Sequence, residues 1–203
     1  MLGNMKPFRL AGNIYYVGTY EECSHLIVTE EGLILIDVGG NHTAQVVLES
    51  VETLGFDIRD LKYILLSHGH YDHSDGAPLV VAASGAKVCI CAEDEHYLKG
   101  YHSDIQLKDG DVIRLGSTAI RCVHTPGHTE GSVCLLVEDA MFSGDTLFEG
   151  SCGRTDLPGG DWATILQSLK RLAGMEKNYA VYPGHGPSTT LDDEKKWNPY
   201  MRQ

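Results

Sequence analysis

The stretch "YILLSHGHYDHSDG", residues 63–76, constrains this chain more than any other. An apolar run ends at Leu66, and His68, His70, Asp72 and His73 follow at once. A short apolar run bounded by a turn reads as a buried strand. In extended backbone, residues two apart face the same way, so His68 and His70 can meet one ion. Asp72 and His73 lie past a turn and can face a second point nearby. Imidazole and carboxylate donors suit zinc, iron or manganese, and the lack of thiolate argues against a purely structural zinc.

Around this stretch the pattern alternates between strands and helices. "NIYYVGTY" and "HLIVTEEGLILIDVGG" are β-branched and aromatic, with a hairpin turn at Glu30, Glu31 and Gly32. "HTAQVVLESVETLG" has helical period, with Val46, Val47 and Leu54 on one stripe and Gly55 as a stop. A strand "LKYILLSH", a helix near 77–84, a strand "AKVCICA" and a short helix "DEHYLKG" follow. The second half has strand pairs in "DVIRLGSTAIRCVHTPG" and "GSVCLLVEDAMFSGD". An amphipathic helix "DWATILQSLKRLAG", capped by Asp161, and a last short strand "YAVYPGHG" complete it. Two such halves predict two sheets packed face to face with helices outside, an α/β fold. No low-complexity linker interrupts the chain, and residues 1–203 are read as one domain.

Composition removes several classes of function. The net charge is −12, with 16 Lys and Arg spread against 28 acids and no basic run, which excludes a phosphate-backbone binder. No segment approaches the ~20 apolar residues that span a bilayer. The opening "MLGNMKPFRLAGN" lacks the apolar run of a signal peptide, so a soluble, cytoplasmic protein is expected. The six cysteines show no C-x-x-C spacing and read as small core residues in a reducing compartment, Cys89 and Cys91 on one face of a strand. Cys152 is assigned a structural role in its loop.

Three more donors occur in tight Gly-containing turns: His128 in "TPGHTEGS", Asp145 in "FSGDTLF" and His185 in "YPGHGP". Glycine lets the chain turn sharply while one polar side chain projects inward. With these residues the chain resembles the metallo-β-lactamase-fold hydrolases, on the H-x-H-x-D-H motif His68, His70, Asp72, His73 and on His128, Asp145 and His185. The resemblance runs from about residue 14 to the C-terminus. It implies an αββα four-layer sandwich with the site at one edge, between the sheets. By the same resemblance His68, His70 and His128 bind a first metal, Asp72, His73 and His185 a second, and Asp145 bridges them. Asp72 and Asp145 are then the carboxylates of the catalytic centre. Two divalent ions, zinc in the first instance with iron or manganese as alternatives, would leave it net positive and ready for an anionic transition state.

Asp37, ending the strand "LILIDVG", is a candidate to accept the free N–H of a ligand histidine and fix its tautomer. The other histidines, His25, His42, His96, His102 and His124, read as structural or exposed.

"FEGSCGRTDLPGGD", residues 148–161, narrows the substrate. It is similar to the glyoxalase II-like branch, in which the basic residue of a C-G-R or C-G-K segment helps bind the glutathione part of the substrate. That resemblance makes Arg154 a substrate-binding residue and implies a small anionic thioester of the S-lactoylglutathione type. A thiolate can leave unprotonated, so no dedicated general acid is required. Gly186 and Pro187 stand where that family places a substrate-binding Tyr, and the ending "KKWNPYM" resembles its short bacterial branch, which leaves room for another thiol carrier. Two alternatives stay open. "SCGRTD" also resembles persulfide dioxygenases, which would use one iron on His68, His128 and Asp145. "YILLSHGHYDHSDGAP" looks closer to B3-type β-lactamases, with lactonases as a further relative.

Overall fold

The computed structural model describes residues 5–202. Residues 1–4, part of the opening read above for a signal peptide, lie outside the described residues. The first half forms β1 (Phe8–Ala11), β2 (Ile14–Tyr16), β3 (His25–Thr29), β4 (Gly32–Ile36), β5 (Leu61–Leu65), β6 (Lys87–Cys91) and β7 (Ile105–Leu107), laid side by side in that order as one sheet. β1 to β4 pair antiparallel and β4 to β7 parallel. Parallel neighbours need a crossover. It is supplied by α1 (Asn41–Thr53) between β4 and β5, and by α2 (Tyr71–Ser74) and α3 (Ala77–Ser84) between β5 and β6.

The second half runs β8 (Val112–Leu115), β9 (Thr118–His124), β10 (Val133–Val137) and β11 (Ala140–Gly144). A small ribbon follows, β12 (Leu147–Phe148) and β13 (Ser151–Cys152), and then α4 (Trp162–Ala173), β14 (Ala180–Pro183), β15 (Thr189–Thr190) and α5 (Leu191–Trp197). The second sheet has the order β15-β14-β11-β10-β9-β8, and its one parallel pair, β11 with β14, is joined across α4.

Side-chain alternation assigns each residue to a layer. In β4, Leu33 and Leu35 pack with Val47 and Val51 of α1 and Val80 of α3, while Ile34 and Ile36 turn to the other sheet. In β10, Leu135 joins Ile34, Ile36 and Leu65 between the sheets, and Leu136 joins Leu169 and Leu172 of α4. The result is the αββα order of four layers. Each buried aliphatic side chain contributes about 1.5–3 kcal/mol relative to exposure.

The structure adds several elements to those expected, β7, β12, β13 and α2 among them. β1, β15 and α5 are formed by segments without a readable apolar period, and the short helix expected at "DEHYLKG" is a 3-10 turn over Ala92–Tyr97. Asp161 caps α4 as expected, accepting from Thr164 N at 2.7 Å. Cys89 and Cys91 share the core between the sheets, and Cys152 is half-buried in the β12–β13 ribbon. Among the described residues no helix is long and apolar enough to cross a membrane.

Candidate metal centre

The donors gather because the strands that carry them end at the same edge of the sandwich. His68 follows β5, His128 follows β9, Asp145 comes directly after β11, and His185 lies just past β14. β11 and β14 are parallel neighbours, so Asp145 and His185 arrive together. At this edge the sheets are stitched by Val133 N donating to Ser67 O at 2.9 Å. α2, with His70 as its N-cap, carries Asp72 and His73 on one helical turn.

The seven side chains form two sets that share a carboxylate. His68, His70 and His128 bring ligand atoms within 4.8 Å of one another, and so do Asp72, His73 and His185. His70 Nδ1 faces His128 Nε2 at 2.9 Å, and His73 Nε2 faces His185 Nε2 at 3.2 Å. His185 Nε2 is 3.4 Å from Asp72 Oδ2. Asp145 spans the sets, with Oδ2 3.4 Å from His128 Nε2 and 3.5 Å from His185 Nε2, and Oδ1 3.4 Å from His73 Nε2. Donors held ~2.0–2.1 Å from a tetrahedral zinc lie roughly 3.3 Å apart, so these spacings fit an ion in each set. His68 Nε2 and Asp145 Oδ1 are buried without a hydrogen-bond partner. An unmet polar atom of that kind costs about 1–3 kcal/mol, a penalty that a cation at the centre would remove.

The ring nitrogens that point away are tied down, which selects the tautomer. Asp37 Oδ2 accepts from His73 Nδ1 at 2.9 Å, as its place in the sequence led us to expect. The same carboxylate accepts from Ser67 N and Ser67 Oγ, both at 2.7 Å, and Ser67 Oγ meets His68 Nδ1 at 3.1 Å. His128 Nδ1 donates to Arg154 O at 2.7 Å, and His185 Nδ1 to Glu21 O. In all four rings Nε2 is left to face the centre.

The electrostatics separate the groups. Burial, together with the neighbouring rings, drives His68 well below the usual histidine range, and burial with His128 beside it brings His70 to about 4. For His73 burial pulls the other way, but the Asp145 and Asp37 carboxylates win and raise it to about 9. Hydrogen bonds to Asp145 and Asp72 raise His185 to about 11. Burial would lift Asp72, yet the hydrogen bond from His185 and the charge of His73 hold it at about 2. Asp145 is lowered against its burial by His73 and His185.

Asp94 is a positioning residue that the sequence reading missed. Fully buried in the 3-10 turn, it accepts from Gly69 N at 2.8 Å, Thr129 Oγ1 at 2.7 Å and Gly131 N at 2.7 Å. It therefore latches the loop bearing His68 and His70 to the loop bearing His128. Gly184 has a different necessity: a Cβ there would collide with Asp145 Oδ1 and His73.

Arg154 touches the centre through its backbone. Its guanidinium forms a two-pronged pair with Asp156 at 2.7 Å and is 62% exposed. Of the remaining histidines, His25 is buried among Tyr16, Phe142 and Tyr182, His124 is half-buried, and His42, His96 and His102 are exposed, in line with their expected roles.

Comparison with known proteins gives one family. The model of the metallo-beta-lactamase superfamily matches residues 23–185. An uncharacterised protein of Mycobacterium leprae is 36% identical, the match covering 68% of this chain and 75% of that one. The hydroxyacylglutathione hydrolase GloC of Haemophilus influenzae is 30% identical over 89% of this chain and 92% of its own. The solved structure of the B3 metallo-beta-lactamase BLEG-1 superposes with a TM-score of 0.84 at 25% identity, covering 94% of this chain and 100% of that one. The family match spans every donor from His68 to His185, and the chain belongs to the metallo-beta-lactamase superfamily as a metallo-hydrolase.

Proposed function

We propose that this metallo-hydrolase is a glyoxalase II-like thioesterase acting on acyl thioesters of the S-lactoylglutathione type. The observation that carries the reading is the pair of donor sets joined through Asp145, in a chain that aligns with GloC over nearly the whole of both proteins. His68, His70 and His128 would hold one divalent ion, Asp72, His73 and His185 the other, with Asp145 between them. Zinc fits the donor types, as do iron and manganese. When bound, such a pair makes water nucleophilic near neutral pH and polarises a carbonyl oxygen.

The chain's own residues supply the rest. The carboxylates that touch the donor rings are all engaged, Asp72 and Asp145 as donors and Asp37 beneath His73. None is spare to protonate a leaving group, and a thiolate with a conjugate-acid pKa of about 8.5 leaves without one. An amine, released when a β-lactam opens, departs more readily with a proton donor. Arg154, at the rim, is proposed to exchange Asp156 for an anionic group of the thiol carrier. We place this activity in the cytoplasm, in a single-domain protein.

The likeness to BLEG-1 favours a second reading, a B3-like β-lactamase. The two separate on purified, zinc-loaded protein offered S-lactoylglutathione and nitrocefin in parallel. Release of free thiol is the expected result. Turnover of nitrocefin with no thiol release would overturn the proposal.

A further inference from the structure

A cavity of about 670 Å³ opens at His185, the one member of the donor sets in its lining, and runs beside the edge strand β1. Its walls come from both sheets: Phe8 and Leu10 of β1 and Tyr16 of β2 on one side, Tyr182 of β14 on the other, with His25 also in the lining. We propose that it is an acyl-chain pocket, and that the preferred substrate carries a medium-chain apolar acyl group rather than a short hydroxyacyl group. The proposal rests on the thioesterase reading and specifies its substrate.

The lining chemistry selects this occupant. Phe8, Leu10, Tyr16, Tyr20, Tyr182 and Pro183 present carbon and aromatic faces, and among the described residues no lysine or arginine lines the cavity. The Tyr16 hydroxyl is turned back to Thr19 O and Cys23 Sγ, which leaves its ring to the cavity. His25 is neutral at neutral pH because burial holds it at about 3. The ionisable lining residues that remain are Glu21, Cys23 and His185, together with the two other tyrosines. A glutathione moiety carries two carboxylates and would meet Glu21, with no lysine or arginine among the described lining residues to balance it. An uncharged alkyl chain meets no such penalty. The volume lies within the ~300–1,000 Å³ of pockets that enclose whole small ligands, and a lactoyl group would leave most of it empty. His185 belongs to both the cavity and the second donor set, which makes it the point at which a chain lying here would meet the centre.

Chain length is the variable to test. Acetyl, butanoyl, hexanoyl and octanoyl thioesters of glutathione are compared on the zinc-loaded protein, and kcat/KM is expected to rise about three- to fourfold per buried methylene until the pocket is full. Leu10→Trp fills part of the cavity and is expected to reduce the octanoyl-to-acetyl ratio at least tenfold. Phe8→Ala, on an exposed wall position, is expected to lower the same ratio more weakly and serves if the first variant fails to fold. Binding of 2-decanone to metal-free protein, read by calorimetry, gives a result independent of turnover. It is expected to be saturable at one site and lost in Leu10→Trp. A flat length profile in an active enzyme overturns the acyl pocket and leaves the thioesterase reading standing. Absence of thioester turnover at every length, with 2-decanone bound, overturns the thioesterase reading and keeps the pocket. No binding of 2-decanone overturns the pocket.

Discussion

Asp37 combines an unfavourable backbone with a favourable side chain. Its φ of +54° is one of two positive values at non-glycine residues among the described residues, a conformation that costs on the order of 1 kcal/mol for a residue other than glycine. The side chain offsets this by accepting from Ser67 N, Ser67 Oγ and His73 Nδ1. Asparagine tolerates the same backbone but offers one acceptor atom in place of two. In Asp37→Asn the amide can serve Ser67 or His73, so His73 loses its fixed tautomer. The fold is expected to persist, while zinc affinity of the second set falls roughly 10–100-fold, the usual effect of removing such a partner. Titration against a competing chelator checks this, and an unchanged affinity would show that Asp37 serves the loop alone.

Among the elements, what could be read from the sequence divides along physical lines. The period of β4 and β5, the helical stripe of α1 and the H-x-H-x-D-H run are local patterns, and each maps onto the element it predicted. β15 is two residues long and β1 is mostly exposed, so neither has an apolar period to detect. Asp94 was hidden for another reason. Nothing around it in "DEHYLKG" marks it, because its partners Gly69, Thr129 and Gly131 meet it only after both sheets are assembled. Burial raises its carboxyl, and the hydrogen bonds from Thr129, Gly69 and Gly131 oppose that rise. Asp94→Ala strands two buried N–H groups at about 1–3 kcal/mol each, while Thr129 Oγ1 keeps Ser132 Oγ as a partner at 2.7 Å, so a loss of roughly 3 kcal/mol is expected. For a chain of this size that lowers Tm by about 6–12 °C. The measurement belongs on metal-free protein, where ligand binding does not contribute. A loss below about 1 kcal/mol would mean that the latch is solvated in solution.

For the molecule as a whole, the centre acts as a clamp between the sheets. His68, His70, Asp72 and His73 extend from the first sheet, and His128, Asp145 and His185 from the second, so each donor set draws on both. An ion in either set therefore ties the two halves together. Free zinc at a thousand times its Kd would stabilise the folded chain by about 4 kcal/mol, or roughly 8–16 °C in Tm for a domain of about this length. The effect has a defined pH dependence. Without metal, His73 at about 9 and His185 at about 11 lie above the ~6.5 of an unfolded chain. Their contribution to the metal-free fold is complete below pH 6.5 and is lost as pH rises through 9 towards 11. Ligation requires both rings deprotonated at Nε2, so protons compete with the ion and less so as pH rises. The Tm difference between zinc-loaded and chelator-treated protein should therefore widen from pH 6.5 to 8.5, with protons released on zinc binding in calorimetry across buffers of different ionisation enthalpy. A difference that stays constant, with no proton release, would place the ion elsewhere than on His73 and His185.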